Sequence, residues 1–126
     1  MMKTMINEIL QLLTASQDEL FDSLENRLQT YGYTTQKTAY ALGAKSQEAY
    51  APTVVAHLDT RNINTLPTRD DIKVTDEWIG LSEEANDALD CLGADDRAGV
   101  ASILILLDKG YRPNVLFTRD DKSGLF

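Results

Sequence analysis

The sequence is poor in the residues that form disulfides and multi-histidine metal sites, with one cysteine and one histidine among 126 residues. The single cysteine, Cys91, excludes an intrachain disulfide, which agrees with a reducing compartment. The Lys and Arg residues are scattered and the net charge is −8, so neither nucleic acid nor an anionic membrane surface is an expected partner. The longest apolar run, residues 100–107, is far shorter than the roughly 20 residues of a membrane span. These absences predict a soluble cytoplasmic protein.

The apolar pattern predicts an α/β protein in a single domain, residues 1–126. Apolar residues at helical spacing indicate a helix or a helical pair over residues 3–30. Ser16 followed by Glu19 is a capping-box pattern that would begin the second helix, and Gly32 would end it.

Strand-like segments and a further helix follow this helical region. They are, in order, an edge strand at 34–44, a strand buried on both faces at 52–56, a hairpin at 72–81, an irregular acidic loop at 82–90, a helix apolar nearly all round at 97–109, and a buried strand at 114–118. Continuous apolar strands are typical of a mostly parallel sheet, which the sequence therefore predicts.

His57 and Asp59 stand at the end of the strand predicted at 52–56. Side chains two residues apart in a strand point to the same face. A neutral imidazole is a good zinc ligand, and a ligand histidine usually donates its other N–H to an oxygen such as a carboxylate. Asp59 could supply that carboxylate. The alternative is a surface histidine with an incidental aspartate beside it.

Residues 93–99, Gly-Ala-Asp-Asp-Arg-Ala-Gly, lead into the helix predicted at 97–109. The small residues allow close backbone approach, and an aspartate just before a buried helix could bridge two cations. The alternative is a structural role, in which Asp95 or Asp96 caps the helix. Both roles can hold if one aspartate caps and the other binds.

Asp120 and Asp121 follow the strand predicted at 114–118 and could serve as base and ligand, with an ordinary polar turn as the alternative. All three polar segments lie at the carboxyl end of a predicted strand or in the loop after it. Ligand sites form at such ends in open parallel sheets. The three segments are therefore expected to converge in space.

Together, the three segments resemble the co-catalytic zinc exopeptidases, particularly the tripeptidase-type aminopeptidases. Residues 57–60, His-Leu-Asp-Thr, are similar to the family's His-x-Asp-Thr motif. Residues 92–101 are similar to the segment that holds its metal-bridging aspartate, and residues 117–124 to its Phe-Thr-x-Asp-Glu-Glu-x-Gly segment. The resemblance runs in order over residues 53–124, and the second motif is the most specific.

The resemblance implies a three-layer α/β/α zinc-peptidase-like fold with a mostly parallel central sheet, truncated to its amino-terminal half. The family holds two zinc ions. His57 would bind one metal and Asp95 would bridge both, and the family's cis peptide bond falls at Asp95–Asp96. Asp59 would orient His57, and Asp121 would be the general base. The substrate would be a small peptide, hydrolysed by metal-activated water.

The third segment departs from the family at its catalytic positions. The family's catalytic glutamate falls on Asp121, which is one methylene shorter, and its next glutamate, a metal ligand, falls on Lys122, which cannot bind zinc when protonated. A one-residue insertion makes Asp120 the base and Asp121 the ligand but loses the register with Gly124. Since the sequence also has no second histidine, one zinc site or none is expected in this chain.

Two functions follow from these observations. The first is a zinc-dependent exopeptidase, an aminopeptidase or tripeptidase that is incomplete or weakly active in this chain. The alternative is a non-catalytic remnant or binding module that keeps the peptidase fold without the metal chemistry. A buried-type strand at an open sheet edge invites pairing with another chain, so an oligomer through that edge is also expected.

Overall fold

A computed structural model describes residues 2–60, 65–89 and 91–119. Its helices and strands are α1 Met2–Thr14, α2 Gln17–Thr30, β1 Thr35–Lys37, β2 Ala41–Ala44, β3 Thr53–His57, β4 Ile72–Val74, β5 Ile79–Leu81, α3 Glu83–Ala88, α4 Ala94–Asp108 and β6 Asn114–Thr118. A 3-10 turn, Arg69–Asp71, precedes β4. The mixture of helices and strands confirms the predicted α/β class.

Ser16 separates α1 from α2, as the capping-box pattern predicted. Its hydroxyl oxygen accepts the backbone N–H of Glu19 at 3.1 Å, and Oε1 of Glu19 accepts the backbone N–H of Ser16 at 3.2 Å. Past the end of α2, Gly32 takes a φ of +95°, the left-handed conformation that commonly ends a helix. The short link lets both helices turn their apolar sides toward one core.

The four-stranded sheet is mixed, with the order β1-β2-β6-β3. β3 runs parallel to β6, but β2 is antiparallel to both β1 and β6. The prediction of a mostly parallel sheet was therefore wrong. The difference comes from residues 34–44, which were predicted as one edge strand and instead fold as the β1–β2 hairpin.

Thr38 makes the turn of that hairpin. Its backbone N–H donates to the carbonyl oxygen of Ala41 at 2.8 Å. Its hydroxyl oxygen accepts the N–H groups of Tyr40 at 3.2 Å and Ala41 at 3.1 Å. A threonine hydroxyl that binds the backbone two and three residues ahead favours a turn over a continuous strand. The chain consequently reverses within a segment whose composition is strand-like throughout.

One face of the sheet carries the core. Side chains alternate between the two faces of a strand, and the inward set packs with residues of α1, α2 and α4. The buried sheet residues are Leu42, Ala44, Ala56, Val115 and Phe117. On the opposite face Val55 is 58% exposed. In the described part of the chain β3 is an edge strand covered on one face, so the prediction of burial on both faces was wrong.

The segments between β3 and β6 were predicted in part. The hairpin is confirmed as β4 and β5, which form a separate two-stranded sheet. The acidic stretch after it forms the short helix α3 rather than an irregular loop, because the Ser82 hydroxyl oxygen accepts the N–H of Ala85 at 3.2 Å and caps the helix.

α4 is confirmed as a helix and buries Val100 and Leu104, while Ser102 is exposed. None of the described helices is long and apolar enough to cross a membrane.

Candidate metal centre

Strands β3 and β6 end side by side at one edge of the sheet. His57 lies opposite Thr118 in the parallel ladder, and the backbone N–H of Leu58 donates to Thr118 O at 2.7 Å. α4 packs against β3, and its first turn reaches this edge. Two of the three segments predicted to converge, residues 57–59 and 93–99, therefore do meet.

His57 is held from both ring nitrogens. Its Nε2 lies 3.0 Å from Oδ1 of Asp95, and its Nδ1 lies 2.9 Å from the backbone carbonyl oxygen of Asp59. Because a carbonyl oxygen only accepts, Nδ1 carries the proton in that bond. The remaining nitrogen, Nε2, faces the Asp95 carboxylate. The side chain of Asp95 is 95% exposed, so the pair is open to solvent.

Asp59 contacts His57 in a different way from the one predicted. The sequence suggested that its carboxylate would accept the imidazole proton, but the nearest carboxylate oxygen is 3.5 Å from Nδ1, farther than the backbone oxygen. A backbone carbonyl can orient a ligand histidine as a carboxylate does. Asp59 is therefore adjacent to His57 as expected, and its backbone makes the closer contact.

The charges around the site favour a cation. Burial lowers the pKa of His57, but the hydrogen bond to the Asp59 carbonyl, the charge of Asp59 and the contact with Asp95 together raise that pKa above its ordinary value. The charge of Asp96 acts in the same direction. The field that stabilises an imidazolium here would also attract a metal ion.

The first turn of α4 is irregular at the two aspartates. Asp95 and Asp96 have non-helical backbone angles, and the peptide bond between them is cis, as the resemblance implied. Asp96 is half-buried, and its Oδ2 accepts the backbone N–H of His57 at 3.2 Å. The two neighbouring carboxylates thus hold the side chain and the main chain of one histidine.

The capping role predicted for Asp95 or Asp96 stays a prediction, because both aspartates have non-helical angles directly before the regular part of the helix. The N-cap position of α4 is Gly93, with φ of +90° and no side-chain cap. A Cβ at this position would lie 3.3 Å from Cγ2 of Thr60, so glycine allows the loop to pack closely on the end of β3. Both aspartates contact His57.

Sequence reasoning missed two residues that shape this site. Arg97 is only 2% exposed, and its Nε donates to the carbonyl oxygen of Leu58 at 2.8 Å. Gly99 gives room to Asp96, since a Cβ there would overlap the Asp96 carboxylate. A charged residue and a glycine within an otherwise apolar helix were the available signals, although neither reveals its partner without the fold.

The third predicted segment lies only partly within the described residues. Thr118 and Arg119 are described, and Arg119 pairs with Asp18 and stacks over the ring of Phe21. The predicted base Asp121, together with Asp120, Lys122 and Gly124, lies outside the described residues. The catalytic assignment of Asp121 therefore stays a prediction.

The donor set at this edge fits a metal in part. Two ligands of a tetrahedral zinc at about 2.1 Å are roughly 3.4 Å apart, close to the 3.0 Å between His57 Nε2 and Asp95 Oδ1. Within residues 2–60, 65–89 and 91–119, no group of three or more His, Cys, Asp or Glu side chains could hold a metal ion. The described residues thus supply two donors.

No protein-family model matches the chain, and no curated protein sequence matches it. Solved structures do match. Aminopeptidase PepT from Bacillus cereus ATCC 10987 is 19% identical with a TM-score of 0.62, and a tripeptidase from Staphylococcus aureus subsp. aureus Mu50 is 18% identical with a TM-score of 0.66. Each match covers 91% of this chain and 35% of the other. Aminoacylhistidine dipeptidase from Vibrio alginolyticus is 16% identical with a TM-score of 0.59, over 96% of this chain and 28% of its own.

This chain has a peptidase-like fold. Its structural neighbours are an aminopeptidase, a tripeptidase and a dipeptidase, which confirms the peptidase resemblance inferred from the three motifs. The peptidase-like chain spans about a third of the length of these neighbours. At such low identity the likeness establishes the fold, and the chemistry has to be argued from the residues of the site.

Proposed function

We propose that this chain carries part of the catalytic site of a zinc-dependent exopeptidase. The main support is the 3.0 Å separation of His57 Nε2 and Asp95 Oδ1. These are two zinc-ligand types that come from segments 38 residues apart in sequence. The peptidase-like fold provides the context in which this pair has a function.

Each residue of the pair has a distinct task in this proposal. His57 presents Nε2 to zinc because its Nδ1 proton is committed to the Asp59 backbone. Asp95, whose carboxylate is exposed, would hold the same ion and a second cation. When bound, zinc supplies activated water at neutral pH and polarises the peptide carbonyl. Asp59 keeps the imidazole oriented, and Asp121 is the proposed general base.

The isolated chain should hydrolyse peptides weakly or not at all. A catalytic zinc site takes three protein ligands, and His57 and Asp95 are two. The sequence has no other histidine, and Lys122 occupies the position where the resemblance implies a carboxylate ligand. His57 and Asp95 alone would therefore hold zinc without completing a catalytic site.

The alternative proposal is a binding module that keeps the peptidase fold without metal chemistry. Lys122 is the observation that favours it, because a protonated lysine near the cation position would repel zinc. In that case the His57–Asp95 contact would serve only to join β3 to α4. The two proposals differ in one measurable property, the affinity of the chain for zinc.

The proposal also covers the third layer of the fold, the oligomer, the substrate and the location of the chain. The sheet face around Val55 is exposed, which leaves room for the third layer of an α/β/α fold. The outer edge of β3 is unpaired in the described chain and could pair with a second chain to form an oligomer. A small peptide is the proposed substrate, and a cytoplasmic location stays a prediction.

Zinc binding by the purified chain tests the proposal. We expect near-stoichiometric zinc by elemental analysis, and a loss of affinity of at least 100-fold in titration calorimetry for His57→Ala, because a direct ligand is removed. Asp95→Asn should weaken binding less, since the amide oxygen can still coordinate. Asp76→Asn is the matched control, because it makes the same charge change at an exposed aspartate in the β4–β5 turn.

Assays with di- and tripeptides follow the binding measurement. Weak or absent turnover together with zinc binding is the expected result. If the chain binds none of zinc, cobalt and manganese, the binding-module proposal replaces the peptidase proposal. Robust hydrolysis that a chelator abolishes would contradict the expectation of an incomplete site.

A further inference from the structure

Arg97 is a buried charge with three backbone partners. It is 2% exposed, and its Nε donates to Leu58 O at 2.8 Å while Nη1 donates to Ala15 O at 2.8 Å and also to Leu12 O. A buried guanidinium is tolerated only when its donors are satisfied. Among the described residues its hydrogen-bond acceptors are main-chain carbonyls, and the charge of Asp59 also acts on it. Arg97 therefore joins separate backbone segments.

The three carbonyls that accept from Arg97 lie at the end of α1 and just after β3. Those of Leu12 and Ala15 are at the carboxyl end of α1, where helix carbonyls lack partners within the helix and carry the negative end of the dipole. That of Leu58 lies between His57 and Asp59. Arg97 thus ties the end of α1 to the Leu58–Asp59 peptide, one residue beyond the histidine.

Asp96 holds the other side of His57. The N–H of Leu58 pairs with β6, so the N–H of His57, one residue earlier, points toward the outer edge of β3. There the Asp96 carboxylate accepts it at 3.2 Å. The carboxylate reaches this place because residue 99 is glycine, whose missing Cβ would otherwise overlap it.

Three consecutive residues at the start of α4 therefore contact the end of β3 and the residue after it. Asp95 contacts the imidazole of His57, Asp96 accepts its N–H, and Arg97 donates to the carbonyl oxygen of Leu58. We propose that Asp96, seated on Gly99, and Arg97 are positioning residues that fix the His57 imidazole against the Asp95 carboxylate. The metal-binding consequence of this role rests on the proposed function, whereas the imidazole geometry does not.

The positions of the three acceptors favour arginine at residue 97. Its planar fork reaches carbonyls in separate directions, whereas a lysine ammonium is a single point that cannot span the same acceptors. Arg97→Lys keeps the charge and loses the fork. Gly99→Ala is the complementary change, because it displaces the Asp96 carboxylate while alanine favours the helix more than glycine does.

The experiment uses the single histidine as a reporter. In chain labelled with ¹⁵N-histidine, NMR reads the imidazole nitrogens of His57 without assignment ambiguity, and calorimetry measures zinc affinity. For Gly99→Ala we expect shifted imidazole resonances and about tenfold weaker zinc binding in a chain that remains folded. Ser102→Ala, on an exposed position of the same helix, is the control and should alter neither measurement.

The outcomes separate this role from the proposed function. Imidazole resonances and zinc affinity identical to wild type in a folded Gly99→Ala chain would overturn the positioning role. Arg97→Lys should shift the imidazole resonances in the same way if that variant folds. If Arg97→Lys does not fold, Gly99→Ala alone decides whether the positioning role holds. If wild type binds no zinc, the proposed function fails, while the imidazole resonances alone still support or overturn the positioning of His57.

Discussion

The two faces of the four-stranded sheet differ in how far other parts of the chain cover them. On the face that packs against α1, α2 and α4, Leu42 and Phe117 are fully buried, whereas on the other face Val55 is 58% exposed. The helices therefore supply the hydrophobic stabilisation from one side. The candidate metal centre lies at the edge where the two faces meet, so its residues are anchored by the core and still reach solvent.

The largest expected effect is on the covered face. Phe117→Ala should lower the free energy of unfolding by about 3–5 kcal/mol, because it empties a fully buried site in the core. Val55→Ala, on the open face, should lower it by less than about 1 kcal/mol. Urea unfolding of both variants measures the comparison. Equal losses would show that the open face is covered in solution.

A smaller effect is expected where the core meets the site. Arg97→Met keeps an apolar stem of similar length but leaves three carbonyls without their donor, so the free energy of unfolding should fall by about 3 kcal/mol. Arg119→Met removes a cation at the surface and should cost about 1 kcal/mol or less. If the two substitutions cost the same, the buried guanidinium does not join α1 to β3 as described.

The smallest effect is a pH dependence at the exposed side of the site. The pKa of His57 is raised in the folded chain, so its stabilising contacts are fully present below the unfolded pKa of about 6.5. They are lost as the pH rises through the folded pKa. In metal-free protein, the stability difference between wild type and Asp95→Asn should therefore shrink from pH 5.5 to pH 8.5. A difference that is constant or grows over this interval would contradict the assigned contacts.

Local sequence signals predicted those parts of the fold that local contacts determine. The capping box at Ser16 fixed the start of α2, and the strand ending at His57 and the loop at Asp95 were placed correctly and do meet. These features depend on side chains that bind their own neighbours or on strand ends that lie at one sheet edge. They can be deduced before the fold is known.

Features that depend on distant partners could not be deduced in this way. The hairpin at residues 34–44 was missed because the Thr38 turn interrupts a run of strand-like composition. The antiparallel pairing of β2 with β6 joins residues far apart in sequence. Arg97 looks like a surface residue until the carbonyls of Leu12 and Leu58 are brought to it.

Binding of one cation by both His57 and Asp95 can be seen by anomalous X-ray diffraction at the zinc absorption edge, from crystals grown with zinc. We expect one peak about 2.0–2.2 Å from both His57 Nε2 and an Asp95 carboxylate oxygen. A peak bound elsewhere, or a fully ordered His57–Asp95 pair with no zinc between its donor atoms, would contradict it.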